Sequence, residues 1–256
     1  MKHDGTERRG EQMTFWNHLD ALRSCIIKAI VVVVVFGVLA FIMKEELFNI
    51  VLAPRSSDFI TYKLLGGEPF SLHLMNTGLT EQFVIHMKTA MYAGLLAASP
   101  YVLYLIFGFI APALYNTEKR YVAQATISAY FMFIIGTLVN YFIVFPLAVR
   151  FLGTYQVSED VQNMLTLQSY IETLLSMTFV MGVIFELPVV SWVLARIGIL
   201  KHNLMTDYRR HAIVAIFIIA AIITPTGDIF TLLIVSLPIW LLYETSILVV
   251  KRSEKK

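Results

Sequence analysis

Six runs of apolar residues, separated by short polar segments, constrain this chain of 256 residues more than any other feature. They extend from Ile26 to Met43, Thr89 to Ala111, Val122 to Phe145, Leu174 to Leu194, Ala212 to Thr224 and Ile229 to Tyr243. A water-soluble core cannot absorb them. Hydrophobic residues make up 57% of the chain and charged residues 15%, against about 45–50% and about 25% in soluble domains. That balance excludes a secreted domain or an ordinary cytosolic enzyme, and it excludes disorder, which needs low hydrophobicity. The net charge of +2 gives no electrostatic basis for binding nucleic acid. One cysteine, Cys25, makes neither an internal disulfide nor a metal cluster. The chain reads as one all-α integral membrane domain over residues 1–256.

Crossing a hydrocarbon core of ~30 Å takes roughly 20 helical residues. The first four runs meet that length, but the fifth has 13 residues and the sixth has 15 before Glu244. These reach only about 20 and about 22 Å. They form either two short crossings or a re-entrant hairpin, and the intervening Pro-Thr-Gly-Asp at 225–228 favours crossings because such a turn prefers water. With six crossings, one side of the membrane carries 14 Lys and Arg residues in its loops and tails and the other carries 4. The positive-inside rule then places both termini in the cytoplasm, although a hairpin would leave the tail there too. On this reading 1–25 is a cytoplasmic, interfacial N-terminus, 44–80 is an external loop folded as a cap, and 249–256 is a cytoplasmic tail. Phe15, Leu19, Leu22 and Ile26 recur at helical spacing and lead into the first span, with Asp20 and Arg23 on the cytoplasmic surface. No small-x-small site follows Phe41, so the first run is expected to stay as a helix.

Polar residues inside apolar runs are expensive and therefore informative. Glu186 lies near the midplane of the fourth run, where an acid costs roughly 2.5–3.5 kcal/mol on insertion scales. Two readings are open: a glutamate hydrogen-bonded within the bundle, or a polar group on a water-lined cavity, which the adjacent Pro188 kink favours. Pro100, Pro146 and Pro238 predict bent helices that could wall such a concavity. Lys88 and Glu81 open the second span, with Lys88 expected to snorkel to the interface, and Asp228 is expected to cap the last helix. In the loop before the third span, Thr117 and Glu118 suit a helix start, and Lys119 and Arg120 follow the positive-inside rule. No phosphate loop, zinc motif or nucleophile elbow occurs. The expectation is therefore no enzyme, no cofactor and no metal.

Several segments in register resemble the TatC family, the C subunit of the twin-arginine protein translocase. The most specific is Phe109-Ile-Ala-Pro-Ala-Leu-Tyr-Asn-Thr-Glu118-Lys-Arg120, joined by Phe185-Glu186-Leu-Pro188 and His18-Leu-Asp-Ala-Leu-Arg23. Ala53-Pro54, Glu81-x-Phe83 with Lys88, Tyr141-Phe-x-x-Phe-Pro146 and Thr224-Pro225 also match, so the resemblance covers about 14–250. It implies six helices in a concave, glove-like bundle with the last two short, in the bacterial cytoplasmic (inner) membrane. It also implies a receptor for twin-arginine signal peptides of folded proteins, working with A-type and B-type single-span subunits under the proton-motive force, in a homo-oligomeric assembly. Glu118 matches the loop glutamate that pairs with signal arginines, a role suited to a carboxylate facing planar guanidinium. Lys119 and Arg120 flank it. The family's N-terminal glutamate falls on Ala21, so Asp20 is the acid that could take part of that role, with Arg23 orienting it. Glu186 matches an intramembrane glutamate, and Thr224 and Asp228 match a region of contact with partner helices. The alternative function is a proton-coupled small-molecule transporter with Glu186 as carrier, although no internal repeat supports it.

Overall fold

The structure is a computed structural model. It describes residues 15–66, 70, 72–110, 119–156, 158, 164–224 and 228–254, and their side chains except at 15–18, 65, 110 and 119–122. Helix α1 runs unbroken over Phe15–Ile42, so the interfacial pattern and the first apolar run form one element. Its partner is α4, Glu81–Ile110, which lies against it along much of its length. Glycine makes this approach possible: a Cβ on Gly94 would lie 2.4 Å from the Gly37 nitrogen and 2.8 Å from the Val33 carbonyl. Helix α5, Lys119–Val139, continues through a π-helical turn at Asn140–Val144 into α6, Phe145–Thr154. Helix α7, Leu167–Ile184, packs against α5, where Gly136 faces the Met181 carbonyl and Gly182 faces the Phe133 ring.

The described residues of the segment expected to form a cap fall into short elements. These are α2 (Lys44–Leu52), a 3-10 turn at Ala53–Arg55, α3 (Ile60–Leu65) and the two-residue strand β1 (Leu74–Met75). Strand β1 pairs in parallel with β2, Leu165–Thr166, which brings the starts of α4 and α7 to one end of the bundle, here the cap end. Aromatic residues tie the cap down. Tyr62 is 3% exposed, and its hydroxyl donates to the carbonyls of Pro54 at 2.8 Å and Pro146 at 3.0 Å. Tyr141 donates to the Ile50 carbonyl at 2.6 Å.

The chain finishes with α8 (Leu187–Arg196), α9 (His202–Asp207), α10 (Arg209–Ile223) and α11 (Ile229–Glu254). Among the described residues, five helical stretches are long and apolar enough to cross a membrane: Leu19–Ile42, Glu81–Phe109, Ala123–Thr154, Leu167–Arg196 and Ile229–Glu254. Helix α10 has 15 residues, about 22 Å of length, and is short as expected. The last helix is not. It has 26 residues, about 39 Å, because Glu244 does not end it. Arg209 at the start of α10 pairs with Glu244 at 3.0 Å, and the Tyr243 hydroxyl donates to the Met205 carbonyl. Met205 of α9 also packs beside Ile247 and Val250. The charge is thus accommodated at the end of a shorter neighbour, and α11 continues past it. The main core joins α6, α7, α10 and α11 through Phe145, Ile171, Met177, Ala220, Val235 and Ile239.

Candidate functional site: a groove beside Glu186

Proline chemistry creates the central feature. Pro188 has no N–H to donate, and the helix opens between Ile184 and Leu187. The Phe185 amide still reaches Met181, but the Glu186 amide turns back to Val183 at 3.1 Å. Regular bonding resumes only with the Val190 amide on the Glu186 carbonyl at 2.9 Å. The break thus holds Glu186 between two helices, on the side of the bundle facing α4 and α5.

There the residue borders a groove of about 450 Å³. Leu95, Ser99 and Leu103 of α4, Phe133 of α5, and Val183 and Val190 form much of its wall. Apart from Ser99 and Glu186, every lining side chain is apolar, and the Ser99 hydroxyl is occupied by the Leu96 carbonyl at 2.7 Å. Both Glu186 carboxylate oxygens are buried and neither has a hydrogen-bond partner among the described residues. Of the two readings open from the sequence, a glutamate bonded within the bundle finds no such bond among the described residues, and one facing a hollow agrees with the groove in position. A hollow is present, but the α4 positions facing it carry Leu95, Val102, Leu103 and Ile106, so its wall is apolar. An unpartnered polar group in such surroundings costs about 1–3 kcal/mol or more, which a visiting donor would relieve.

The same helix face continues toward the cap end. Glu172, Ser176, Phe179, Val183 and Glu186 follow one another at steps of four and three, which places them on one side of a helix. Near its top, Lys88 of α4 pairs with Glu172, to which the Gln168 side chain also donates at 3.2 Å. Lys88 therefore does not simply snorkel; it bridges α4 and α7. Glu81 accepts from the Thr77 amide and hydroxyl, the Gly78 amide at 2.7 Å and the Gln168 amide at 3.2 Å. One carboxylate so joins the turn before α4 to the first turn of α7. Glu172 was not singled out from the sequence; its heptad relation to Glu186 is the signal that could have found it.

The other anticipated residues lie elsewhere. Asp20 and Arg23 are exposed on the first turns of α1. Glu118 lies outside the described residues; Lys119 and Arg120 open α5, but their side chains also lie outside that description. Thr224 is buried, its hydroxyl donating to the Ala220 carbonyl at 3.0 Å. Asp228 caps α11 by accepting from the Thr231 amide at 2.7 Å. Among the described residues no group of three or more His, Cys, Asp and Glu could hold a metal ion.

Comparison with known proteins gives a consistent result. The family described as Sec-independent protein translocase protein (TatC) matches residues 17–238. The Sec-independent protein translocase protein TatC of Carboxydothermus hydrogenoformans is 32% identical over 240 residues, covering 93% of each chain. That of Koribacter versatilis is 36% identical over 236 residues, covering 92% of this chain and 84% of its own. The crystal structure of a twin-arginine translocase receptor, TatC, superposes with a TM-score of 0.78 at 32% identity, covering 93% of this chain and 99% of that one. A second, determined in the detergent DDM, gives 0.77 at 32% identity, with 90% and 98% covered.

Proposed function

The chain belongs to the TatC family of Sec-independent protein translocase proteins, and from that membership we propose that it is the core receptor subunit of its translocase. It is a multi-pass membrane protein and a component of the twin-arginine translocase, a transport protein rather than an enzyme. In the finer reading, it binds twin-arginine signal peptides of folded proteins on the cytoplasmic side. It moves them with A-type and B-type single-span subunits, driven by the proton-motive force, in a homo-oligomeric complex of the bacterial cytoplasmic membrane. Both termini face the cytoplasm, which puts the cap end outside.

Glu118 supplies the carboxylate for the signal's guanidinium groups, flanked by Lys119 and Arg120. Asp20 and Arg23, exposed on α1, form the second side of that surface. Glu186 offers its unpartnered oxygens to a polar group carried into the groove by a signal peptide or a partner span. Thr224 and Asp228 shape the turn between α10 and α11, beside which Ile222 and Ile229 present 78% and 77% of their surfaces to a partner helix. The observation that most supports this reading is the likeness to a solved receptor of the same translocase over 93% of the chain. The apolar groove wall argues against the alternative of a small-molecule carrier, since a polar solute would find almost nothing there to bind.

The test is photocrosslinking of a twin-arginine peptide to a probe placed beside Glu118, together with an export assay. Glu118→Ala should lose most of both signals. Undiminished labelling and export in that variant would remove Glu118 from the recognition surface.

A further inference from the structure

Helix α3 has two different faces. Tyr62 points into the protein and is bonded to Pro54 and Pro146, while the Thr61 hydroxyl donates to the Phe142 carbonyl. Ile60 and Leu64, one turn apart, point the other way and are 64% and 88% exposed. Two uncovered branched aliphatic side chains on a helix pinned this firmly are not fraying. Lys63 flanks them, paired with Asp58 at 3.3 Å with both partners exposed.

We propose that α3 is a lipid anchor, holding the cap to the headgroup region of the bilayer leaflet at the cap end through Ile60 and Leu64. The depth is right. Phe142 lies 19 residues beyond Ala123, where the third membrane-length stretch begins, about 29 Å along a helix, and the rest of that stretch runs beside the cap, with Arg150 over the Phe70 ring and Gly153 against Leu72. The surface is continuous. Phe142 and Ile143, beside α3, are themselves 37% and 50% exposed on the spanning helix, and Phe59 stacks on Phe142 with centroids 5.7 Å apart. Aromatic residues gather here as they do at membrane interfaces: Phe59, Tyr62, Phe70, Tyr141 and Phe142 contact one another in a chain. The charged flank suits the same place, because a lysine beside an apolar ridge can raise its ammonium to the headgroups. Two side chains offer far less than the roughly 800 Å² per partner of a standard protein interface, whereas lipid sets no such minimum. The shared contact of the Tyr62 hydroxyl ties α3 to both the 3-10 turn and α6, so the leaflet holds the height of the whole cap through one short helix.

An environment-sensitive fluorophore tests this in the full chain, reconstituted in phosphatidylcholine–phosphatidylglycerol nanodiscs where both faces are open to solvent. With the single native thiol removed as Cys25→Ser, labels are placed at Leu64→Cys, at Ile60→Cys and, as an exposed cap reference, at Asn76→Cys. The labels at 60 and 64 should emit at shorter wavelength than the reference. They should resist iodide and be quenched by nitroxide lipids, more by a nitroxide near the headgroup than by one at the chain end. Emission and iodide quenching equal to the reference would overturn the proposal. So would labels shielded from both iodide and lipid nitroxide, which would mean that protein covers this face. Agreement between positions 60 and 64 guards against a fault peculiar to one variant.

Discussion

Single side chains here carry loads of different kinds. The Tyr62 hydroxyl is a cross-brace, since from a buried position it shares its one proton between carbonyls on separate elements. Tyr62→Phe removes that shared donor, so unfolding in detergent should require less denaturant, a loss of about 0.5–1.5 kcal/mol. Glu186 behaves in the opposite way. Its oxygens are buried without a partner among the described residues, so the isolated chain holds it at a cost that apolar substitution would remove. Glu186→Leu should therefore raise the unfolding temperature of the purified protein while lowering export in cells; a lowered melting temperature would show that the carboxyl is stabilised by something within the chain. Glu186 and Pro188 are legible in the sequence because an acid and a helix breaker in an apolar run need no partner to be noticed. Glu172 is not, because it stands near the polar end of its run and its cation, Lys88, lies 84 positions away.

At the level of helices, contact distance rather than propensity decides the arrangement. Helices α1 and α4 meet where Gly37 faces Gly94, and there is no room for a methyl group between them. Gly94→Ala should push the pair apart and cost about 1–3 kcal/mol, as overpacking usually does, read as a lower melting temperature and a broader size-exclusion peak. Boundaries were the less legible part. Reading Glu244 as a helix end made α11 look undersized, whereas in the fold it meets Arg209 of α10 and the helix runs on to Glu254. Helix α10 needs no such partner to be recognised as short, since Pro225 and Asp228 bound its apolar run on one side and Arg209 and Arg210 bound it on the other.

Considered whole, the described residues set five membrane-length helical stretches beside the shorter α10. Helix α10, at 15 residues, falls about 8 Å short of a ~30 Å core, and mismatch of this size costs fractions of a kcal/mol per Å. The protein should accordingly unfold at higher temperature in bilayers of shorter-chain phosphatidylcholine than in longer-chain ones, measured by thermal melts after reconstitution; the reverse order would mean that the bilayer does not thin around α10. The sequence by itself determined that the chain is an all-helical membrane protein, where its apolar runs lie, where the fourth breaks and which acid sits at the break. These follow from local composition, because water and hydrocarbon sort residues without regard to distant neighbours. Only the tertiary structure decided that the hollow beside Glu186 has an apolar wall, that Glu81 and Lys88 join α4 to α7, and that α11 outlasts its own charge. Each of those depends on which residues, scores of positions apart, helix packing brings within a few ångströms.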